Sequence, residues 1–470
     1  MKVLAAFLVT AVVILGVCYF TAMNPPKAEA VPSYARQTGL ACSGCHYTPP
    51  ELNPAGRRFK LTGYVDRGDE TKVVKTDGTK RRAALDLLAS LPLSVMFETS
   101  FTSTKSPVPS VSTNPTPPPA FTLTPTQNGT FEFPQDVSLY LAGAWTSHVG
   151  SFLQVTYDYQ SNSFGADNTD VRYANKTNLS GKELIYGLDF NNNPTVEDLW
   201  NTTPAWGFPW VESDFAPLPV GTPIINGPLG QDVAGFGGYA MWNNHLYLNT
   251  ELYRSDHLGS PQPNPGAGFT YNIRGLAPYW RVAWQELTAK TQYEIGAYGM
   301  HMRSTPNGLT GFDGLQDEYT DWALDTQIDR SLFRKDVLSF RATYIRENSD
   351  LLASFITGAV AQGPHHLDTL FANAEYHIGN KYTGTFGWFD TSGTVDTTLY
   401  SPTPVTGSAN SNPRSAGYIA NVSYWPWQNL QLAAQYTGYT RFNGGSTNYD
   451  GYGRNANAND TVYLVMRVLF

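Results

Sequence analysis

Cys42-Ser43-Gly44-Cys45-His46 is the segment of this chain best suited to chemistry. Two thiols three positions apart can bond to the two vinyl groups of one haem, and the adjacent imidazole is then held beneath the iron as an axial ligand. Three other readings compete. A thioredoxin-like C-x-x-C needs a βαβ setting, which the surrounding pattern lacks. A structural zinc site needs four ligands, and no second cysteine pair exists, since Cys18 is the only other cysteine. A plain disulfide in an oxidising compartment stays open. The histidine directly after the second cysteine favours one covalent haem c, with Cys42 and Cys45 as attachment points and His46 as the metal ligand.

A second axial ligand would be Met or His. Neither type occurs between His46 and Met96, so this ligand is expected from further along the chain. Met96 and His148 are the first choices. Leu91, Leu93, Val95 and Phe97 alternate with Ser94, Met96 and Glu98, which turns Met96 to the polar side of a strand. His148 follows the polar-side register of Ser138, Tyr140 and Ala144. His245 and His377 are similarly placed, whereas His365 and His366 fall in a long loop. Arg36, Arg57, Arg58 and Lys60 are candidate partners for haem propionates.

The elements that must hold these groups read as strands. Of the 470 residues only 15% are charged, while 13% are aromatic, and Gly and Pro are plentiful. That mixture suits many strands with aromatic girdles better than a helical bundle. The net charge is −8 and no long basic run appears, which argues against nucleic-acid binding. Pro278, Trp280, Val282 and Trp284 alternate with Tyr279, Arg281, Ala283 and Gln285, and similar patterns cover 321–328 and 429–437. A thin apolar face opposite a polar one suits a barrel with lipid outside and water within. Short turns near 147–151, 242–245, 379–381 and 426–429 alternate with long polar loops near 103–133, 162–181, 256–276, 303–318, 394–414 and 442–459. This asymmetry is that of outer-membrane barrels. The Pro-rich 103–133 stretch is expected to hold no strand, and 205–222 is expected to supply a sixteenth. Thr461–Phe470 is an amphipathic strand ending on an aromatic residue, like the signal read by outer-membrane assembly machinery. Asn191–Trp210 fits no strand and reads as a constriction in the lumen, a plug or an ordinary long turn.

Lys2, the uncharged run from Val3 to Met23 and Ala28-Glu29-Ala30 read as a cleavable secretion signal. The expected organisation is therefore a signal peptide over 1–30, a haem-binding segment over 31–90 and a porin-like barrel over 91–470. The fold class is mainly β: a short monohaem cytochrome segment followed by a transmembrane antiparallel barrel of about 16 strands.

Tyr34-Ala35-Arg36-Gln37-Thr38-Gly39 before the motif, and Gly56-Arg57-Arg58-Phe59-Lys60-Leu61-Thr62-Gly63-Tyr64 after it, carry a resemblance. Over Tyr34–Tyr64 the chain resembles the fused monohaem cytochrome–porins of bacterial outer membranes, whose best-known members are extracellular iron oxidases. The Tyr47-Thr48-Pro49-Pro50 stretch departs from that pattern. The resemblance implies haem and barrel more firmly than it implies iron. The expectation is an outer-membrane electron conduit with iron:cytochrome oxidoreductase activity, the haem segment lying at the periplasmic side or in the lumen. Extracellular Fe2+ would be the donor and a periplasmic carrier, a c-type cytochrome or copper protein, the acceptor. Asp158, Glu251, Glu294, Asp321 and Asp325 are the candidate lining of a cation path. A substrate-selective porin with a structural or sensory haem, and a conduit for outward electron flow, are the alternatives.

Overall fold

The structure is a computed structural model that describes residues 32–65, 73–74, 87–88, 92–114, 120–160, 162–255, 271–306, 314–333 and 335–470. The expected signal peptide, and most of the stretch joining the cysteine segment to the first long strand, lie outside them.

A closed antiparallel barrel dominates the chain. Its strands are β1 (Leu93–Thr104), β2 (Thr130–Ala144), β3 (Val149–Asp158), β4 (Ser163–Leu179), β5 (Lys182–Asn191), β6 (Val233–Trp242), β7 (Leu246–Ser255) and β8 (Ala277–Leu287). They continue as β9 (Thr291–Pro306), β10 (Asp317–Ser331), β11 (Val337–Asp350), β12 (Pro364–Ile378), β13 (Tyr382–Gly393), β14 (Ser415–Trp427), β15 (Leu430–Arg441) and β16 (Thr461–Leu469). A three-residue strand, Tyr271–Ile273, extends the edge of β8 along β9, so the barrel counts 16 strands. β16 closes on β1, with Arg467 opposite Glu98.

The two faces follow the period of two. Trp280, Val282, Trp284, Trp322, Leu324 and Ile328 are exposed on the outer wall, and Arg281, Gln285, Asp321, Asp325 and Gln327 are buried on the inner one. Closure leaves no unpaired strand edge, the condition for crossing a lipid bilayer with strands.

Three expectations are overturned. Residues 162–181 form β4 rather than a loop, because its lumen face carries the buried Asp170–Arg172 pair and its rim end is polar, which hides the apolar alternation. Residues 205–222 are not a strand. Pro209, Pro217 and Pro219 have no N–H for a ladder, and the stretch belongs to a long segment, 192–232, folded into the lumen. The 103–133 loop also departs from expectation, since Ser110–Asn114 pairs with Ala120–Thr124.

The cysteine segment lies inside the barrel at the rim with the short turns. Helix α1 (Pro32–Thr38) packs on β1 and β2, with Ser33 N donating to Ser94 Oγ at 2.8 Å and Gln37 Nε2 to the Ala142 carbonyl at 3.1 Å. Helix α2 (Cys42–Cys45) is a single turn. Helix α3 (Pro54–Leu61) starts on a favourable signal: Asn53 Oδ1 accepts from Ala55 N and Gly56 N, and Pro54 opens the first turn. Arg57 then reaches Gln327 of β10 at 2.8 Å, and Tyr239 of β6 donates to the Leu61 carbonyl at 2.9 Å, so α3 is tied to two separate parts of the barrel wall.

Candidate functional site

Gly56 brings the motif and its following helix together. A Cβ at this position would lie 2.1 Å from the Cys45 carbonyl oxygen, so α3 rests directly on the last turn of α2. On the other side, Gln428, in the β14–β15 turn, accepts from Cys42 N at 2.9 Å. The cysteine turn is thus clamped between its own downstream helix and the barrel wall.

Cys45 and His46 open onto a cavity of about 230 Å³. Its walls are mostly aromatic and apolar, with Tyr34, Phe59, Tyr140, Phe152, Trp206 and Trp425 among them. The His46 ring sits with Nδ1 3.2 Å from the Pro50 carbonyl, which makes Nδ1 the protonated nitrogen and leaves Nε2 with its lone pair available as a donor. Burial pushes the His46 pKa down to about 4, so the imidazole is neutral at pH 7, the form that binds iron.

Met96 is the other cavity-lining residue of the two types expected opposite a haem histidine. It projects from the lumen face of β1, and Tyr140 Oη donates to its Sδ at 3.5 Å. His148 does not line the cavity. β2 ends at Ala144, the register is lost in the turn, and the His148 ring turns away to lie 3.1 Å from the Ala174 carbonyl and against Tyr173. His245 stacks on Trp284 at the rim. His377 is buried beside Glu51, and His365 pairs with Asp396.

The four basic candidates separate as well. Arg36 is spent on the Leu93 carbonyl, Arg57 on Gln327 of β10 and Arg58 on Glu183 at the surface. Only Lys60 of the four lines the cavity, and its Nζ already donates to the Val196 and Asp198 carbonyls at 2.6 and 2.7 Å. Two lining residues had no role in the sequence reading. Arg467 of β16 lies there, held by Glu98 at 2.6 Å. Trp425 is 4% exposed, and its indole nitrogen has no acceptor among the described residues. Cys45 is the thiol that lines the cavity, while Cys42, on the same turn, donates its Sγ–H to the Gln428 carbonyl at 3.4 Å. With a tautomer-fixed histidine, a thioether, apolar walls, one arginine and one orphaned indole N–H, these groups are a donor set that fits a covalently held haem and its carboxylates.

Met96, Gln154, Asn201 and Arg467 also line a second, larger cavity of about 800 Å³ on the side of the long loops. Glu98, Asp136 and Asp158 occupy directly paired positions on β1, β2 and β3. Asp167 lines this vestibule too, and Asp214 and Glu212 join from the infolded segment. Burial, with repulsion from Glu132, Asp158 and Glu98, pushes the Asp214 pKa up to about 6.

The acidic path inferred from sequence is mostly different. Glu294 and Asp325 face Arg281, Asp321 accepts from Ile225 N, and Glu251 accepts from Asn249 and Asn191. These side chains are buried in structural contacts, and of the five only Asp158 belongs to the vestibule's acid row.

No family model matches the chain, and no curated protein matches it. Solved structures similar in backbone course include the OmpF porin of Salmonella typhi in complex with daunomycin, at 12% identity over 80% of this chain and 97% of that chain, with a TM-score of 0.45. The outer-membrane channel DcaP of Acinetobacter baumannii matches at 12% identity, covering 84% and 99%, with a TM-score of 0.45. An anion-selective porin from Comamonas acidovorans matches at 10% identity, covering 80% and 98%, with a TM-score of 0.41. At such values the likeness is one of barrel shape alone.

Proposed function

We propose that the protein is an outer-membrane c-type cytochrome–barrel that carries single electrons between the extracellular and periplasmic sides, with Fe2+ as donor and a periplasmic redox protein as acceptor. The observation that carries this reading is the cavity at the short-turn mouth. Cys45 and His46 open onto it, and Met96 is shared between it and the acidic vestibule above. Haem c attached through Cys42 and Cys45 would supply a reversible one-electron centre there.

The chain's own residues do the rest. His46, oriented by the Pro50 carbonyl, would offer Nε2 to the haem iron, and Met96 would be the second iron donor. Arg467 and Trp425 offer N–H groups to carboxylates, and the aromatic walls exclude water. Glu98, Asp136, Asp158 and Asp214 draw cations down from the long-loop side. A hydrocarbon core ~30 Å thick insulates the two aqueous sides, so a redox centre within the lumen has a use that one in the periplasm would lack.

Oxidised protein, purified after co-expression with haem-maturation machinery, is mixed anaerobically with Fe2+ while the visible spectrum is recorded. Rapid appearance of the reduced α-band is expected. Covalent haem that dithionite reduces and Fe2+ does not would remove iron as donor, and absence of covalent haem would remove the whole reading.

The porin reading draws on the 800 Å³ vestibule. It predicts sizeable single-channel conductance. The residues 192–203 that fold across the lumen, with Val196, Glu197, Trp200 and Thr203 almost fully buried, favour a small one.

A further inference from the structure

Glu51 follows the cysteine motif on the same loop and ends against β12, where it meets Glu375 and His377. The three side chains are at most 1% exposed. One ligand atom from each lies within 4.8 Å of the others, and among the described residues no other group of three His, Cys, Asp or Glu side chains does this.

The local charges do not close. Arg341 donates to Glu375 Oε1 at 2.6 Å and to Glu51 Oε2 at 3.3 Å, which compensates one carboxylate and leaves the second. One oxygen of Glu51 and one of Glu375 lie within 4.8 Å of each other, and Arg341 is the arginine that both share. Glu51 Oε1 is buried and has no partner. Two facing buried carboxylates require either a shared proton or a cation, because an uncompensated buried charge is expensive.

His377 makes the cation the better fit. Its Nε2 points to Glu51 Oε2 at 3.1 Å, while Thr383 Oγ1 lies 3.2 Å from Nδ1 and so can orient the ring from behind. An imidazole oriented at one nitrogen leaves the other to face the two carboxylates, so that the three donor atoms converge within 4.8 Å of one another. We propose that Glu51, Glu375 and His377 bind one divalent first-row cation through two carboxylates and one imidazole, a donor set suited to Fe2+, Mn2+ or Zn2+. Arg341 and Asn373 line both the vestibule and the approach to this group, so a cation drawn into the vestibule has a route to it. The site stands apart from the haem reading and does not require it.

Zinc is the probe, because it cannot reduce a haem. The full-length protein is stripped with a chelator, dialysed against buffered free Zn2+, and assayed for metal per mole of protein. One equivalent is expected, with affinity at least tenfold lower in Glu51→Gln and in His377→Gln and unchanged in Glu318→Gln, at an exposed ion pair with Arg303. Zinc K-edge absorption on the unaltered protein gives a reading that does not depend on how the variants fold, with a shell of oxygen and imidazole nitrogen at ~2.0–2.2 Å expected. No stoichiometric zinc, a sulfur shell, or affinity equal in all variants overturns the site and points to a shared proton. Reduction by Fe2+ can succeed or fail independently of every one of these outcomes.

Discussion

Two walls of one lumen both carry acids and use them differently. On the β8–β11 side, acids are matched to buried arginines. Arg281 lies 2.7 Å from Asp325, 3.3 Å from Asp198 and 3.5 Å from Glu294, and it stacks over Trp200 and Tyr298. Arg341 is held in the same way by Glu375 and Glu51. On the β1–β3 side, Glu98, Asp136 and Asp158 stand side by side, and Arg467 is the one base near them, bound to Glu98. The first arrangement fastens the infolded 192–232 segment and the α3 helix to the barrel. The second leaves an uncompensated field at the top of the cavity that Met96 borders. A count of acidic residues would not separate these roles, whereas their partners do.

The largest difference should appear on removing a charge from each wall. Arg281→Met leaves three buried carboxylates facing one another and should cost ~3–5 kcal/mol. The check is unfolding in denaturant, followed by the heat-modifiable gel mobility of the barrel. Asp136→Asn relieves like charges on directly paired residues and should leave stability unchanged or raise it by up to ~0.5 kcal/mol. Equal costs on the two walls would erase the distinction.

Gly56→Ala comes next. The added methyl meets the Cys45 carbonyl, and overpacking of this kind costs about 1–3 kcal/mol. Because the strain falls on the cysteine turn, covalent haem per mole of protein should drop while the barrel still assembles. Met96→Ala should keep covalent haem but shift the Soret band and lower the midpoint potential, since a thioether ligand raises it. An unchanged spectrum would remove Met96 as the ligand.

The smallest effect belongs to the field itself. Asp136→Asn combined with Asp214→Asn should slow reduction by Fe2+ several-fold at low ionic strength. The difference should collapse near 1 M salt, where the Debye length is about 3 Å. Asp214 is neutral below its pKa of about 6 and negative above it, so the Fe2+ rate should rise with pH through that value, and the rise should flatten in Asp214→Asn.

Much of the barrel was legible because lipid outside and water inside impose a period of two. Trp280, Val282 and Trp284 alternate with Arg281 and Ala283 as that rule demands. The cysteine motif was equally plain, and Met96 followed from its strand register. β4 was missed because an internal ion pair replaces its apolar alternation. His148 was misplaced because a turn destroys the parity that a strand would have kept. Arg467 and Trp425 join the cavity only through closure of distant strands around α1–α3, which local spacing does not encode. Which acids are paired is likewise a property of the closed barrel, and four of the five inferred from sequence proved to be structural.

The account is tested most directly in sealed vesicles. The haem-loaded protein is reconstituted with oxidised cytochrome c trapped inside, Fe2+ is added outside, and the trapped carrier's α-band is followed, with a Cys42→Ala/Cys45→Ala barrel as the control for leakage. The account predicts reduction of the trapped carrier with the haem-loaded protein and none with the control. Equal reduction with both would contradict it. So would a protein haem that Fe2+ reduces while the carrier inside stays oxidised.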